Sequence, residues 1–122
     1  MYLDFAATTT CQEWETPIGN LPVDEKIVDS LVALDPEMFR QIDKKYEENE
    51  HSLEMHLPYV RKVFEGKDIK IVPLMIGQIK DYPSLAKHLV TYFMDDRTLF
   101  VISSDFCHWG SRFDFQHKYE NY

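Results

Sequence analysis

Two short apolar runs separated by a helical pattern constrain the fold of this chain most. The run IKIVPLMIG covers residues 69–77, and the run LFVIS covers residues 99–103. Between them, YPSLAKHLVTYFMDD (residues 82–96) places apolar residues at helical spacing, and Pro83 suits the first turn of a helix. Strand, helix and strand joined by short links predict a right-handed βαβ unit, whose strands are parallel and buried on both faces.

The first part of the chain predicts a strand followed by a helix. Residues 1–19 are rich in β-branched and aromatic side chains and carry few helix signals. Gly19, Asn20 and Pro22 predict a turn. Residues 23–34 (VDEKIVDSLVAL) then place apolar side chains at helical spacing, so we expect a short amphipathic helix there.

A second short helix is predicted directly after the first. Asp35 followed by Pro36 is typical of a helix cap and a first helical position. The apolar residues of this helix would be Met38, Phe39 and Ile42.

A third helix is predicted up to Gly66. The charged stretch KKYEENE (residues 44–50) is expected to be a solvated face or loop, and Asn49 is expected to cap the helix that follows. Pro58 removes one backbone hydrogen bond and clashes one turn back, so it predicts a kink or a restart near Leu57.

Length, charge and cysteine content exclude several classes of protein. The 122 residues suit one domain, and 21 acidic against 13 basic residues leave a net charge of −8. Such a chain repels nucleic acid and anionic membranes. No apolar run approaches the ~18 residues of a membrane helix, and no signal peptide is recognisable, so a cytoplasmic location is expected. Cys11 and Cys107 lie far apart and predict two reduced thiols.

Several reactive side chains follow the second apolar run. In parallel α/β sheets ligands bind beyond the carboxyl ends of the strands, where Ser104, Asp105 and His108 would lie. One helical turn would place Asp105 and His108 on the same side, and an aspartate can fix the tautomer of a histidine that acts as a general base. The alternative is purely structural, because serine and aspartate often cap turns at strand ends.

A second cluster lies in NEHSLEMHLPY, residues 49–59. Glu50 and His51 can each share a helical face with Glu54. His56 lies five residues after His51, so this is not the metalloprotease pattern, in which the histidines are four apart. The cluster fits a pocket, and it equally fits a capped helix with acidic residues near its positive end.

Two long motifs resemble one known family. EHSLEMHLPY (residues 50–59) and LFVISSDFCHWG (residues 99–110) closely resemble the Memo family, mediators of ErbB2-driven cell motility. The order of the motifs and the intervening IKIVPLMIG run are also similar, and the resemblance covers nearly the whole chain. It implies an α/β/α sandwich of the type found in class III extradiol dioxygenases, which are enzymes with non-haem iron.

The resemblance also implies roles for individual residues. His108 matches the position of the dioxygenase base, and Asp105 matches a neighbouring pocket residue. Ser104 belongs to the same motif. Glu50, His51, Ser52 and Glu54 match a family signature near that pocket. Cys107 is not favoured as a metal ligand, because the family's cysteine lies elsewhere.

The chain is also expected to be only part of a Memo-like domain. The resemblance implies a pocket with two histidines and a cysteine, which could hold iron or copper in the full-length protein, and it places all three outside residues 1–122. No metal ligand and no bound cofactor are therefore expected in this chain. A partial sheet would expose strand edges and apolar faces, so self-association is expected.

Two function classes and an inactive alternative remain from the sequence. The first is a metal-dependent redox or dioxygenase-like protein, with His108 either as base or as a residue that supports the metal ligands, and Asp105 orienting it. The second is a signalling adaptor that binds phosphotyrosine peptides of receptor kinases without catalysis, although only Arg97 and Arg112 flank the second motif. The third is a fragment that retains the fold without activity.

Overall fold

A computed structural model describes residues 3–118, and its elements alternate between strands and helices. Along the chain they are β1 (Ala6–Thr9), β2 (Glu13–Trp14), β3 (Leu21–Pro22), α1 (Glu25–Leu34), β4 (Phe39–Ile42), α2 (Lys44–Glu47), a 3₁₀ turn (Glu54–His56), α3 (Leu57–Val63), β5 (Leu74–Ile76), α4 (Tyr82–Phe93) and a second 3₁₀ turn (Ser111–Phe113). This is the mixed α/β architecture that the sequence predicts. The finer resemblance to the dioxygenase sandwich stays a prediction.

The centre of the fold is a three-stranded sheet in the order β4–β1–β5. β1 is parallel to β4 and antiparallel to β5, with Ala6 opposite Phe39 on one side and Ile76 on the other. All four residues of β1 are buried. The predicted first strand is therefore confirmed, and it is the middle strand of a mixed sheet.

A strand–helix–strand unit is present, but earlier in the chain than the sequence predicts. β1 leads through the small β2–β3 hairpin to α1, and α1 leads to β4, which pairs in parallel with β1. Helix α1 is confirmed: the Asp24 carboxylate accepts a hydrogen bond from the Ile27 amide at its start. Val28 and Leu31 are its buried residues.

The predicted helix over Met38, Phe39 and Ile42 is wrong, because these residues belong to strand β4 or lead into it. Asp35 ends α1 and its side chain accepts a hydrogen bond from the Met38 amide, so the chain turns here. Phe39 is 0% exposed in the main core. Pairing with β1 and burial of this ring outweigh the local cap-and-proline signal.

The predicted βαβ unit over residues 69–103 is also wrong. β5 is antiparallel to β1 and only partly buried, and Ile76 is 46% exposed. Residues 99–103 form no strand, and Ile102 is 80% exposed. Helix α4 between them is confirmed, with Pro83 in its first turn and the Asp81 carboxylate accepting from the Ser84 amide.

The chain restarts as a helix at Leu57, as Pro58 predicts. The 3₁₀ turn ends at His56, and α3 begins at Leu57 with the proline in its first turn. The predicted cap is wrong: Asn49 donates from Nδ2 to the Lys45 carbonyl, and Glu50 is the residue that accepts from the following amides, those of Ser52 and Leu53.

The main core joins β1, α1, β4 and α4. Its buried members are Ala6, Leu31, Phe39, Ile79 and Leu85. His88 on α4 places Nε2 3.1 Å from Oδ2 of Asp35 and packs edge-on against Phe39. This contact ties α4 to the turn between α1 and β4. Within residues 3–118, no helix has the length and apolar character needed to span a bilayer.

Candidate functional site

The carboxyl end of β1 carries a buried hydrogen-bond network centred on Thr9. The Thr9 hydroxyl donates to Oε2 of Glu47 over 2.9 Å. It accepts from the Cys11 amide at 2.9 Å and from Nε1 of Trp14 at 3.2 Å. Thr9 is 1% exposed, so these partners replace water entirely. One hydroxyl thus fixes three neighbouring side-chain or backbone groups at the end of the central strand.

Glu47 is the buried acid of this network, and sequence reasoning missed it. The residue is 8% exposed, and its Oε2 also lies 3.5 Å from the Cys11 thiol. The expectation that residues 44–50 form only a solvated charged stretch is wrong at this position. The short helix α2 turns Glu47 toward β1 and leaves its lysines in solvent, and this orientation depends on where β1 ends.

A cleft of about 440 Å³ lies beside this network. Its lining residues are Tyr46, Asn49, Glu50, His51 and Met75. Met75 also lines a small apolar pocket against Thr9, Trp14 and Glu47, so the cleft and the buried network share a wall. The cleft therefore sits at the carboxyl end of β1, the edge at which α/β sheets bind ligands.

Glu50 is held rigidly at the rim of the cleft. Its two carboxylate oxygens accept from the Ser52 amide at 2.8 Å and from the Leu53 amide at 2.9 Å. Burial raises the pKa of Glu50, but the hydrogen bonds from Leu53 and Ser52 and the charge of His51 outweigh burial, so the net pKa lies below its ordinary value. Glu50 therefore stays ionised and acts as a fixed acceptor that caps the following turn.

The other residues of this motif have separate positions. His51 lines the cleft next to Glu50. Glu54 begins the 3₁₀ turn and is exposed. Nδ1 of His56 lies 2.8 Å from the Ser52 carbonyl oxygen, so this second histidine is engaged with the backbone. Of the two histidines, His51 is the one that borders the cleft.

The structure does not join the residues of the second motif into one cluster. Ser104, Asp105 and His108 are all exposed. The Ser104 hydroxyl donates to the Asp105 carbonyl, and the His108 ring lies 4.7 Å from the Phe113 ring, centroid to centroid. Residues 98–109 form no helical turn, so the spacing that would align Asp105 with His108 has no helix to act on. Among residues 3–118, no hydrogen bond links this motif to the cleft.

Residues 3–118 do not form a metal centre. Within the described part of the chain, no three histidine, cysteine, aspartate or glutamate side chains are grouped so that they could hold an ion. Both cysteines are free thiols: Cys11 is partly buried and Cys107 is exposed. Residues 3–118 therefore offer no ligand set for iron or copper.

Comparison with known proteins gives one consistent relationship. A family model described as Memo-like protein matches residues 2–122. The chain is similar to the protein memo-1 homolog of Caenorhabditis elegans, with 45% identity over 93% of this chain and 32% of the relative. It is also similar to MEMO1 of Xenopus laevis and of humans, with 38% and 35% identity over 98% of this chain and 41% of each relative. The chain thus spans about a third to two-fifths of the length of these relatives.

Proposed function

The chain belongs to the Memo-like family, and we propose that it forms one wall of the ligand pocket of a metal-dependent, dioxygenase-like redox protein. The observation that supports this proposal is the cleft at the carboxyl end of β1, which Glu50 and His51 border beside the buried Glu47. The described residues supply no set of metal ligands. In this proposal the ligands come from other polypeptide of the complete pocket.

The side chains at the cleft suit ligand binding. The imidazole of His51 borders the cleft and offers one ring nitrogen as a hydrogen-bond donor and the other as an acceptor. The Glu50 carboxylate, fixed by two backbone amides, provides a negative charge in a constant position beside it. Met75 gives the cleft an apolar wall that can contact the apolar part of a small organic substrate.

The roles proposed for His108 and Asp105 rest on the family resemblance and not on the cleft. The family resemblance assigns His108 the role of base and Asp105 that of its neighbour, whereas the described residues leave both exposed. We propose that the remaining polypeptide of a complete domain covers this motif and brings it to the pocket. His108 would then move a proton without ligating the metal.

Metal content and oxygen consumption test this function. The protein used is the longest natural polypeptide that contains these 122 residues, purified anaerobically. We expect bound iron or copper by elemental analysis and oxygen uptake with catechol-type substrates. His108→Ala should retain the metal and lose most of the turnover. An absence of both metals, together with no turnover after either is added, would refute the proposal.

Two glutamine variants test the cleft. His51→Gln should weaken substrate binding or slow turnover, because the imidazole is lost while the hydrogen-bonding capacity is kept. Lys67→Gln, at an exposed position that does not line the cleft, is the control and should behave like the natural sequence. Equal activity of both variants would show that His51 does not contribute to the pocket.

The adaptor alternative has less support. Phosphate recognition usually needs an available guanidinium, but Arg97 pairs with Asp95 through Nη2 at 3.0 Å. The Arg112 guanidinium lies 5.9 Å from the centre of the Phe113 ring. Calorimetry with matched phosphorylated and unphosphorylated tyrosine peptides tests this function, and a clear preference for the phosphorylated peptide would favour it over catalysis.

A further inference from the structure

The cleft has two walls that are held in different ways. Met75 lies in β5, which pairs it with Ala7 of the central strand β1. The remaining lining residues lie in or directly after the short helix α2, and we call residues 46–51 the α2 wall. The sheet holds Met75 in place. The contacts that hold the α2 wall therefore decide whether the cleft keeps one shape.

Local structure alone cannot hold the α2 wall. Helix α2 has four residues (Lys44–Glu47), whereas an isolated helix in water needs about 12–15. An ion pair of 3.6 Å joins Lys44 to Glu48, but the two side chains are 68% and 63% exposed, so the pair contributes little. The α2 wall therefore needs a contact with the rest of the molecule.

The Glu47 carboxyl group is the polar anchor of the α2 wall. Its Oε2 accepts from the hydroxyl of Thr9 over 2.9 Å and lies 3.5 Å from the thiol of Cys11. Within residues 3–118, the other side-chain hydrogen bonds and ion pairs of residues 43–53 join positions at most four apart. Thr9 itself is fixed in β1 opposite Ile42 of β4. Glu47 therefore ties the α2 wall to the centre of the sheet.

The backbone carries this anchor into the cleft. The Glu47 carbonyl accepts a hydrogen bond from the Glu50 amide over 2.9 Å, which closes the turn after α2. The lining residues of the α2 wall are close to Glu47 in sequence: Tyr46, Asn49, Glu50 and His51. Glu47 does not line the cleft itself, but lines the small apolar pocket that shares Met75 with it. A displacement of Glu47 would therefore move the lining residues without removing a group that contacts a ligand.

We propose that Glu47 is a positioning residue, whose buried carboxyl group holds the α2 wall in one place beside Met75. This role rests on the proposed function, because it assumes that the cleft binds the substrate. In this role Glu47 contacts no substrate and transfers no proton. It acts through Glu50 and His51, whose places in the cleft it sets.

A buried carboxyl group suits positioning better than it suits stability. Its transfer out of water is unfavourable, and an apolar side chain of similar volume at such a site is often as stabilising or more so. An apolar side chain can pack in several orientations, whereas a hydrogen bond fixes the distance and the angle to its donor. Glu47 thus gives α2 a defined position that a leucine would not give.

Hydrogen exchange in Glu47→Leu and Glu48→Leu tests the anchor, in the longest natural polypeptide that contains these 122 residues. Glu47 is 8% exposed, whereas the neighbouring Glu48 side chain lies in solvent, so the second variant is the matched control. Glu47→Leu should speed exchange of the Glu50 amide by about tenfold relative to the amides of α4, which report wider opening. Glu48→Leu should change it by less than about twofold.

Steady-state kinetics with catechol test the consequence for the cleft. Glu47→Leu should raise KM by about tenfold, because the lining residues are no longer held in place. Glu47→Gln keeps an oxygen that can accept from Thr9, so its KM should stay within about threefold of the natural value. If Glu47 itself moved a proton, Glu47→Gln would lose turnover as completely as Glu47→Leu, and the positioning role would be overturned.

Variants of Thr9 test the same bond if Glu47→Leu does not fold. Thr9→Val removes the hydroxyl and should speed exchange of the Glu50 amide relative to α4, whereas Thr9→Ser keeps the hydroxyl and should not. Equal exchange in these two variants, or in Glu47→Leu and Glu48→Leu, would overturn the positioning role. Absence of metal and turnover, together with faster exchange in Glu47→Leu, would refute the redox function and would still confirm that Glu47 holds the α2 wall.

Discussion

A comparison of β1 with residues 99–103 shows that the burial of a segment depends more on the elements packed beside it than on its own composition. β1 reads Ala-Ala-Thr-Thr, weakly apolar, yet every residue in it is buried. The second segment reads Leu-Phe-Val-Ile-Ser, strongly apolar and β-branched, yet Ile102 is 80% exposed. β1 lies between β4 and β5 and receives hydrogen bonds from both sides. The later segment has no strand beside it within residues 3–118, and strand propensity alone does not create one.

The difference extends to polar groups in the two regions. Near β1, hydroxyl, thiol, indole and carboxylate groups share one buried network around Thr9. Around residues 104–108, the polar groups face solvent. The first region is therefore expected to unfold with the core, and the second to open at little cost. Four comparisons of matched variants test this, measured by urea unfolding at protein concentrations below association.

The largest difference is expected between two phenylalanines. Phe39→Ala removes a ring that is 0% exposed and should lower the free energy of unfolding by about 3–5 kcal/mol. Phe106→Ala removes a ring that is 94% exposed and should change it by less than about 0.5 kcal/mol. Similar losses for both would show that residues 99–106 belong to the same cooperative unit as the core.

Two threonines should differ next. Thr9→Val keeps the shape but leaves the Trp14 indole without its acceptor and the Glu47 carboxylate with only the weak Cys11 thiol donor, at a cost of about 2–3 kcal/mol. Thr98→Val changes an exposed residue and should cost at most about 0.5 kcal/mol. A neutral Thr9→Val would mean that water reaches the network.

Substitution of two glycines by alanine distinguishes the effect of a steric clash in a packed region from the effect of backbone strain in an open one. A Cβ at Gly77 would lie 2.6 Å from Cβ of Leu3, so Gly77→Ala should cost about 1–3 kcal/mol. Gly110 has φ +134° but no other heavy atom near the position of a Cβ. Gly110→Ala should therefore cost less than about 1 kcal/mol, because the loosely held segment can change its conformation. The reverse order would contradict the division between the regions.

The smallest effect depends on pH. The pKa of Glu50 is lower in the folded protein than in the unfolded chain. Its stabilising effect is therefore complete above the ordinary pKa of a glutamate and is lost as the pH falls through the folded value. Glu50→Gln should cost less than about 1 kcal/mol at neutral pH, and the difference should vanish in acid. Asp105→Asn should leave stability unchanged across the same range.

Local sequence signals predicted α1, α3 and α4 but missed the short helix α2. Apolar spacing located α1 and α4, and Pro58 located the restart at Leu57. These signals act within a few residues, so they need no knowledge of the rest of the chain. The cap-and-proline signal at Asp35-Pro36 predicted a helix, but a strand follows it. Burial of the Phe39 ring in the core stabilises the strand more than the local signal stabilises a helix.

The candidate site was only partly predictable from the sequence, because some of its residues come together only when distant elements pack. Glu50 and His51 are adjacent in sequence, so their motif could be recognised directly. Met75 and the buried Glu47 reach the same place only after β5 and α2 pack at the end of β1. The Asp105–His108 pairing assumed a helical turn that residues 98–109 do not form.

The sequence by itself determined the family, helices α1 and α4, the restart of the chain at Leu57 and the motif that borders the cleft. Each of these depends on residue identity or on spacing within one or two turns. Only the tertiary structure decided which strand is central, which carboxylate is buried and which apolar run stays uncovered. These outcomes depend on contacts between residues far apart in the chain, such as the 38 positions between Thr9 and Glu47. Burial is a property of the assembled neighbours, and no local pattern encodes it.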